Sequence, residues 1–306
     1  MGSRALKSIH RSVVVPFVLF LVALSSISTK PVYAAPTPEE STRPQSLLIK
    51  LPSGITLNYF VQGDPKGIPI VLLHGAGDSW HSYDLVLPRL PEKYRVYAIT
   101  LRGHGWSDHP TEGFARTDFA GDITAFLEQL NLRNVVLVGH SLGSFVAQQV
   151  AADDKGRLAK LVLIGSGPGI IRDQDTRQSI GSVFSSIQDP VPYTFARDFQ
   201  ASTIYAPVPP AFFETLVNEA LKAPASTWHG LGKGFQSQEP AVLDRIKIPT
   251  LIFWGDKDNF FKKTDEDLLV GKIEGSKLIV YPETGHALHW ERPERFSTDL
   301  LQFIDK

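Results

Sequence analysis

The chain has 306 residues, a length compatible with a single α/β domain, and 42% of them are apolar, so a large core can be buried. The formal net charge of −1 gives no general attraction to nucleic acid or to an acidic membrane surface. The absence of cysteine excludes disulfides, thiolate zinc sites and a cysteine nucleophile.

The N-terminal segment has the layout of a secretory signal peptide. A basic stretch precedes an uncharged apolar run, and small residues at Val32 and Ala34 are placed before a cleavage site. We expect a signal peptide over 1–34, a disordered leader over 35–45, and export to the periplasm or the cell exterior. The alternative is an N-terminal membrane anchor, but the apolar run covers only 13–27 and a bilayer span takes about 20 residues.

Eight short apolar or β-branched runs predict strands, over 46–51, 55–61, 68–74, 95–101, 134–139, 160–165, 249–255 and 276–282. Helical patterns lie between the later runs, over 117–130 and 141–152, and another follows the last run at 294–304. This alternation indicates an α/β fold, a mostly parallel eight-stranded sheet with helices on both faces. The first two runs, separated by Ser53 and Gly54, predict an antiparallel hairpin.

The stretch over 166–248 breaks the alternation. No strong strand pattern appears in it, and it is too long for a simple connection within a compact domain. We therefore predict a helical insertion after the sixth strand, and a core domain made of 46–165 and 249–306.

A serine between two glycines is the first candidate for chemistry. The segment 139–143 reads Gly-His-Ser-Leu-Gly and lies between a predicted strand and a predicted helix. This is the context of a nucleophile elbow, a sharp turn in which glycine is favoured on both sides and the hydroxyl projects above the sheet. The motif is weak on its own because its residues are common, but its position favours Ser141 as a nucleophile.

The serine needs a base. On this type of sheet the base follows the nucleophile in the chain, and His229, His286 and His289 are the histidines that do so. His286 comes just after the last predicted strand and is the best candidate, while His289 is the alternative. His229 lies in the insertion, away from any strand end.

The base needs an orienting carboxylate. Asp256 and Asp258 both follow the seventh predicted strand, where catalytic groups of open α/β sheets gather. We favour Asp258, since it lies further along the loop, and expect Asp256 to organise the turn.

An oxyanion needs hydrogen-bond donors. The backbone N–H of Leu142 and that of Ala76, in the His-Gly-Ala-Gly segment 74–77 after the third strand, are the candidates for an oxyanion hole. The alternative for this segment is an ordinary glycine turn, and His74 is expected to hold the loop.

These pieces together resemble the α/β-hydrolase superfamily over about 46–306, through the segments "LLHGAG", "LRGHGWSD", "VGHSLGSF", "LIFWGDKD" and "TGHALHWERPERF". The resemblance implies a catalytic triad of Ser141, Asp258 and His286, and a cap or lid formed by the insertion. The chain departs from many relatives at Thr100, where they have aspartate, and at Ser144, where they have glycine. These departures leave the subfamily open.

A serine nucleophile suits acyl transfer, whereas aspartate serves relatives that displace at saturated carbon. We therefore expect a serine hydrolase that cleaves carboxylic esters through an acyl-enzyme. Lactonase, C–C bond hydrolase and perhydrolase activities use the same residues and stay open, as does a non-catalytic ligand-binding role. We expect a small-molecule acyl substrate, no nucleic-acid partner, no cofactor and no metal, since no metal-ligand spacing appears.

Overall fold

The computed structural model describes residues 45–168, 174–236 and 242–306. The predicted signal peptide and nearly all of the predicted leader lie outside these ranges. The described residues contain an eight-stranded sheet, formed by β1 (Gln45–Lys50), β2 (Thr56–Gly63), β3 (Ile68–Leu73), β4 (Tyr94–Ile99), β5 (Val135–His140), β6 (Leu158–Ile164), β7 (Thr250–Gly255) and β8 (Lys277–Tyr281).

The strands lie in the order β1-β2-β4-β3-β5-β6-β7-β8. β2 pairs antiparallel with β1 and with β4, and all other neighbours pair in parallel. The predicted strands, the hairpin and the mostly parallel sheet are therefore confirmed. The parallel strands β3 to β8 all end at one edge of the sheet.

Both faces of the sheet are covered because its central strands are apolar at nearly every position. Along β3, Ile70 and Leu72 pack into one buried cluster and Val71 and Leu73 into the other. The helices in the described ranges are α1 (Arg116–Gln129), α2 (Leu142–Ala152), α3 (Gln174–Ser186), α4 (Tyr193–Ser202), α5 (Pro210–Lys222), α6 (Ala225–Gln236), α7 (Lys263–Lys272), α8 (Leu288–Glu291) and α9 (Pro293–Ile304). None of these helices is long and apolar enough to cross a membrane.

Four helices, α3 to α6, lie between β6 and β7 in the chain, within the stretch 166–248 where we predicted a helical insertion. Trp228 on α6 is fully buried, and its ring packs edge-on against Phe184 of α3 and Phe195 of α4, with ring centroids 4.9 Å apart in both pairs. Aromatic packing of this kind contributes beyond the area it buries and joins the helices to one another.

A buried ion pair ties the loop after β4 to α1. Arg102 donates from Nε and Nη2 to the two carboxylate oxygens of Asp122, both at 2.6 Å. The two side chains are only 10% and 3% exposed. Bidentate pairing of this type fixes geometry as well as charge, so the loop that carries Leu101 and Gly103 is held against the helix.

We expect Asp122→Asn to lower the free energy of unfolding by about 3 kcal/mol, because it leaves the Arg102 guanidinium buried without a counter-charge. Asp267, exposed in an i,i+4 pair with Lys263, offers a matched control, since Asp267→Asn should change stability by less than about 1 kcal/mol. Urea denaturation of both variants measures the difference. Equal, small losses of stability in the two variants would show that the buried ion pair does not hold this loop.

Candidate active site

The predicted site residues follow the parallel strands at the edge where those strands end. Ala76 follows β3, Ser141 follows β5, Asp258 follows β7 and His286 follows β8. The open edge of a parallel sheet is where α/β proteins bind ligands. Ala76, Ser141 and His286 line one cavity there.

The turn that carries Ser141 is strained and held from several sides. Its backbone has φ 50° and ψ −117°, a conformation that non-glycine residues rarely adopt. Its N–H donates to the carbonyl of Ile164 at 3.0 Å, and its carbonyl accepts from the N–H and the hydroxyl of Ser144 at 2.9 and 2.6 Å. Such strain, of order 1–3 kcal/mol, persists only where the surroundings fix it, and it is typical of functional residues.

The two glycines of the motif are required by close backbone contacts. A Cβ on Gly139 would lie 2.2 Å from the carbonyl oxygen of Gly143, and a Cβ on Gly143 would lie 2.5 Å from that of Leu73. Any side chain at either position would push the serine turn away from the strands. α2 begins directly after Ser141, so its N-terminus, with its partial positive charge, faces the serine.

His286 and Asp258 form a buried hydrogen bond. The Nδ1 of His286 lies 2.8 Å from Oδ2 of Asp258, and the two side chains are 3% and 0% exposed. The other carboxylate oxygen, Oδ1, accepts from the backbone N–H groups of Phe260 and Phe261 at 2.7 and 3.1 Å. Because the carboxylate accepts at both oxygens, the proton of the neutral imidazole belongs on Nδ1, which leaves Nε2 with a free lone pair.

The alternatives considered for acid and base lie elsewhere. Asp256 pairs with Lys257 at 3.6 Å, and its N–H donates to the backbone carbonyl of Tyr281 at 3.0 Å. His289 is fully buried on α8, with Nε2 3.4 Å from the hydroxyl of Ser82. His229 bonds to the carbonyl of Ile187 within the insertion. Of these candidates, Asp258 and His286 are the ones that the structure brings together.

Gly165, at the end of β6, allows His286 to reach this position. Its φ is +49°, and a Cβ there would lie 2.7 Å from both Nδ1 and the carbonyl oxygen of His286. No motif in the sequence pointed to this residue. Its position could have indicated a role, because Gly165 ends a predicted strand at the same edge as the other site residues.

The two backbone N–H groups predicted to bind the oxyanion make no hydrogen bond to other described residues. Neither the N–H of Ala76 nor that of Leu142 has a hydrogen-bond acceptor among the described residues. His74 holds the loop as expected, with Nδ1 bonded to the carbonyl of Gly75 at 2.7 Å and Nε2 accepting from the N–H of Leu101 at 2.9 Å. The two N–H groups are therefore available to a ligand at the cavity.

The cavity is small and mostly apolar. Its volume is about 40 Å³, which is room for a few water molecules. Its wall contains an isoleucine and six phenylalanines. The insertion contributes Ile180, Phe184, Phe199 and Phe235, and the core domain contributes Phe145, Phe260 and Phe261. The aromatic content of the insertion is ordinary, so its contribution comes from where these rings lie and could not be read from composition.

The insertion is anchored to the loops that carry the acid and the base. Glu291 on α8 accepts from the N–H of Gly285, next to His286, at 2.9 Å. It also accepts from the N–H groups of Tyr205 and Ala206, in the loop that follows the insertion's second helix, at 3.1 and 2.7 Å. Asn259, next to Asp258, donates to the carbonyl of Ser202 at 3.2 Å. These contacts mean that the insertion and the acid and base loops are positioned together.

Three buried histidines surround the site and are held neutral. Burial lowers the pKa of His289 to about 3, and the nearby His286 lowers it further. Burial also lowers the pKa of His140 and that of His74 well below the ordinary value. These side chains therefore add no positive charge beside His286 at neutral pH.

A polar pair that the sequence analysis missed also lines the cavity. Gln200 on α4 donates from Nε2 to Oδ1 of Asp78 at 2.8 Å and to the carbonyl of Gly77 at 3.3 Å. Burial raises the pKa of Asp78 to about 8, so its carboxyl is mostly protonated at neutral pH. Asp78 follows the predicted oxyanion loop in the chain, but no pattern pointed to Gln200.

The described residues contain no group of three or more histidine, aspartate or glutamate side chains arranged to hold a metal ion.

Comparison with known proteins agrees with the fold. A family model described as alpha/beta hydrolase fold matches residues 68–293. A non-heme haloperoxidase from Rhodococcus erythropolis is 30% identical over 257 residues, which cover 78% of this chain and 93% of that protein. Crystal structures of a bromoperoxidase from Bacillus anthracis and of an esterase from Rhodococcus sp. ECU1013 are both 26% identical. Their TM-scores are 0.77 and 0.72, and the matches cover 86% and 87% of this chain and 100% and 99% of theirs. The chain therefore belongs to the α/β-hydrolase fold family and is a hydrolase.

Proposed function

We propose that this chain is a serine hydrolase that cleaves short-chain carboxylic esters through an acyl-enzyme. The observation that carries the proposal is the buried 2.8 Å hydrogen bond between His286 and Asp258, beside a cavity lined by Ser141. A serine hydroxyl is a poor nucleophile until a positioned base removes its proton, and a carboxylate on Nδ1 keeps the lone pair of Nε2 available for that purpose.

In the first half of the reaction, the hydroxyl oxygen of Ser141 attacks the ester carbonyl while Nε2 of His286 takes its proton. Asp258 stabilises the imidazolium that forms, and general base catalysis of this kind contributes about 10²–10⁴ in rate. The N–H groups of Ala76 and Leu142 bind the oxyanion, and each donor raises the rate by a factor of about 10²–10³. His286 then protonates the leaving alcohol.

In the second half, water attacks the acyl-serine ester. Nε2 of His286 takes a proton from the water, the same two N–H groups bind the second oxyanion, and the carboxylic acid leaves as Ser141 regains its proton. The neutral histidines around His286 favour its role as a base, because no fixed positive charge opposes formation of the imidazolium in either half of the reaction.

The cavity supports short acyl groups as substrates. Its volume of about 40 Å³ and its phenylalanine lining suit a small apolar chain beside the serine. The esterase with a similar structure adds support for an ester as the substrate class. Lactone hydrolysis and C–C bond cleavage would use the same residues, but no observation favours them.

Perhydrolysis is a second candidate, and it is favoured by the haloperoxidase and bromoperoxidase relatives. Hydrogen peroxide would replace water in the second half of the reaction, releasing a peracid and free Ser141. The peracid would then oxidise bromide to hypobromous acid while becoming the carboxylic acid.

Perhydrolysis predicts that the protein brominates an indicator dye in acetate buffer with hydrogen peroxide and bromide. This activity should be absent from Ser141→Ala, and equal activity in that variant would contradict it.

The nucleophile and the acid are tested by labelling and kinetics. A fluorophosphonate probe should label the wild-type protein and leave Ser141→Ala unlabelled, since the probe reacts with an activated serine. Asp258→Asn should lower kcat for p-nitrophenyl acetate by about 10⁴, because the imidazole loses the orientation and tautomer that the base needs.

Asp256→Asn is the matched control, since Asp256 lies in the same loop and its carboxylate pairs with Lys257, whereas His286 is bonded to Asp258. It should change kcat by less than about tenfold. Labelling of Ser141→Ala at the wild-type rate, or equal losses in the two aspartate variants, would refute the assignment.

The size of the cavity predicts a limit on acyl length. Across p-nitrophenyl esters from acetate to octanoate, kcat/KM should be highest for acetate to butyrate and should fall at least about tenfold by octanoate, because longer chains meet the phenylalanine wall. Values that rise steadily with chain length would show that this cavity does not hold the acyl group.

A further inference from the structure

The candidate cavity contains a polar acceptor that the proposed reaction does not use. Gln200 lines the cavity and is 0% exposed, and its Oε1 atom has no hydrogen-bond partner among the described residues. Buried side-chain acceptors are nearly always paired, because an unpaired one loses its hydration without compensation. A ligand or a water molecule in the cavity can supply the missing donor.

The orientation of the Gln200 amide is fixed by its other end. Nε2 lies against two oxygens, Oδ1 of Asp78 at 2.8 Å and the carbonyl of Gly77 at 3.3 Å. The reversed amide would set its oxygen against the carbonyl of Gly77, which can only accept. Oε1 therefore faces away from the loop that contains Gly77 and Asp78.

Two of the side-chain donors that line the cavity are already engaged. The hydroxyl of Thr203, which also lines the cavity, donates to the backbone carbonyl of Gln200 at 2.7 Å. Nδ1 of His286 is bonded to Asp258. The side chains that make up most of the remaining wall are phenylalanines, which offer no donor.

We propose that Gln200 is a specificity-determining residue, which accepts a hydrogen bond from a hydroxyl on the acyl chain, so that short 2- or 3-hydroxyacyl esters are the preferred substrates. This inference rests on the ester hydrolase function proposed above. The hydroxyl would lie near the reacting carbonyl, since Gln200 bonds to Gly77 and Asp78, and these directly follow the oxyanion donor Ala76.

A neutral hydroxyl fits this place better than an ammonium group. The carboxyl of Asp78 beside Gln200 is mostly protonated at neutral pH, because burial raises its pKa. An uncharged amide oxygen beside a neutral carboxyl in an apolar pocket cannot offset the cost of burying a cation.

The first test compares matched substrates on the wild-type protein. Methyl 3-hydroxybutyrate is paired with methyl 3-methylbutyrate, and methyl 2-hydroxybutyrate with methyl 2-methylbutyrate, so that a methyl group replaces the hydroxyl. The kcat/KM ratio of each pair is divided by the ratio of their alkaline hydrolysis rates, which removes intrinsic reactivity. We expect a corrected preference of about tenfold or more for the hydroxy ester in at least one pair.

The second test removes the acceptor. In Gln200→Leu the corrected preference should fall to about one. Loss of the bonds to Gly77 and Asp78 would slow both members of a pair equally and would leave their ratio unchanged, so a merely structural role is distinguishable. Gln178→Leu, the same change at an exposed position of α3, is the control and should keep the wild-type preference.

The outcomes separate the two proposals. If the wild-type protein hydrolyses the two esters of each pair in the same rate ratio as alkali does, the role of Gln200 is overturned and the ester hydrolase function still stands. A preference that survives in Gln200→Leu also overturns it. Hydrolysis of no ester at all overturns the proposed function and this inference with it. If Gln200→Leu does not fold, the wild-type ratio alone decides.

Discussion

The hydrogen bond between His286 and Asp258 is the constraint on which the rest of the site depends. It joins two loops that follow neighbouring strands, β8 and β7, and it is fully enclosed. Because the second oxygen of the carboxylate is occupied by two backbone N–H groups, the carboxylate cannot turn away from the imidazole. Gly165, directly after β6, is a glycine because any side chain there would displace that imidazole. Three strand ends thus converge on one ring.

The insertion forms part of the cavity wall and is bonded to the loops of the site. Glu291 links it to the loop of the base, Asn259 links it to the loop of the acid, and Gln200 links it to the loop of the predicted oxyanion donor. Each link is a hydrogen bond to backbone or to a neutral partner, so none depends on an exposed charge pair that salt would screen. A change in how the insertion packs is therefore expected to reach both the chemistry and the choice of substrate.

Much of the fold could be predicted from the sequence, because apolar runs of strand length and helical stripes are local properties. The same is true of Ser141, Asp258 and His286, since each follows a strand and all parallel strands end at one edge. Their assembly was predictable, and their catalytic roles stay predictions. Gln200 could not be found in this way, because its position depends on how the helices between β6 and β7 pack, and their periodicity does not specify that. The predicted signal peptide lies outside the described residues.

The covalent intermediate tests the central claim most directly. The protein is mixed with p-nitrophenyl acetate, quenched with acid during turnover, digested, and mapped by mass spectrometry. The account predicts one acetyl group per chain, attached to the peptide that contains Ser141 and located on that serine. Steady turnover with no acetyl group on Ser141, or an acetyl group on another residue, would contradict it.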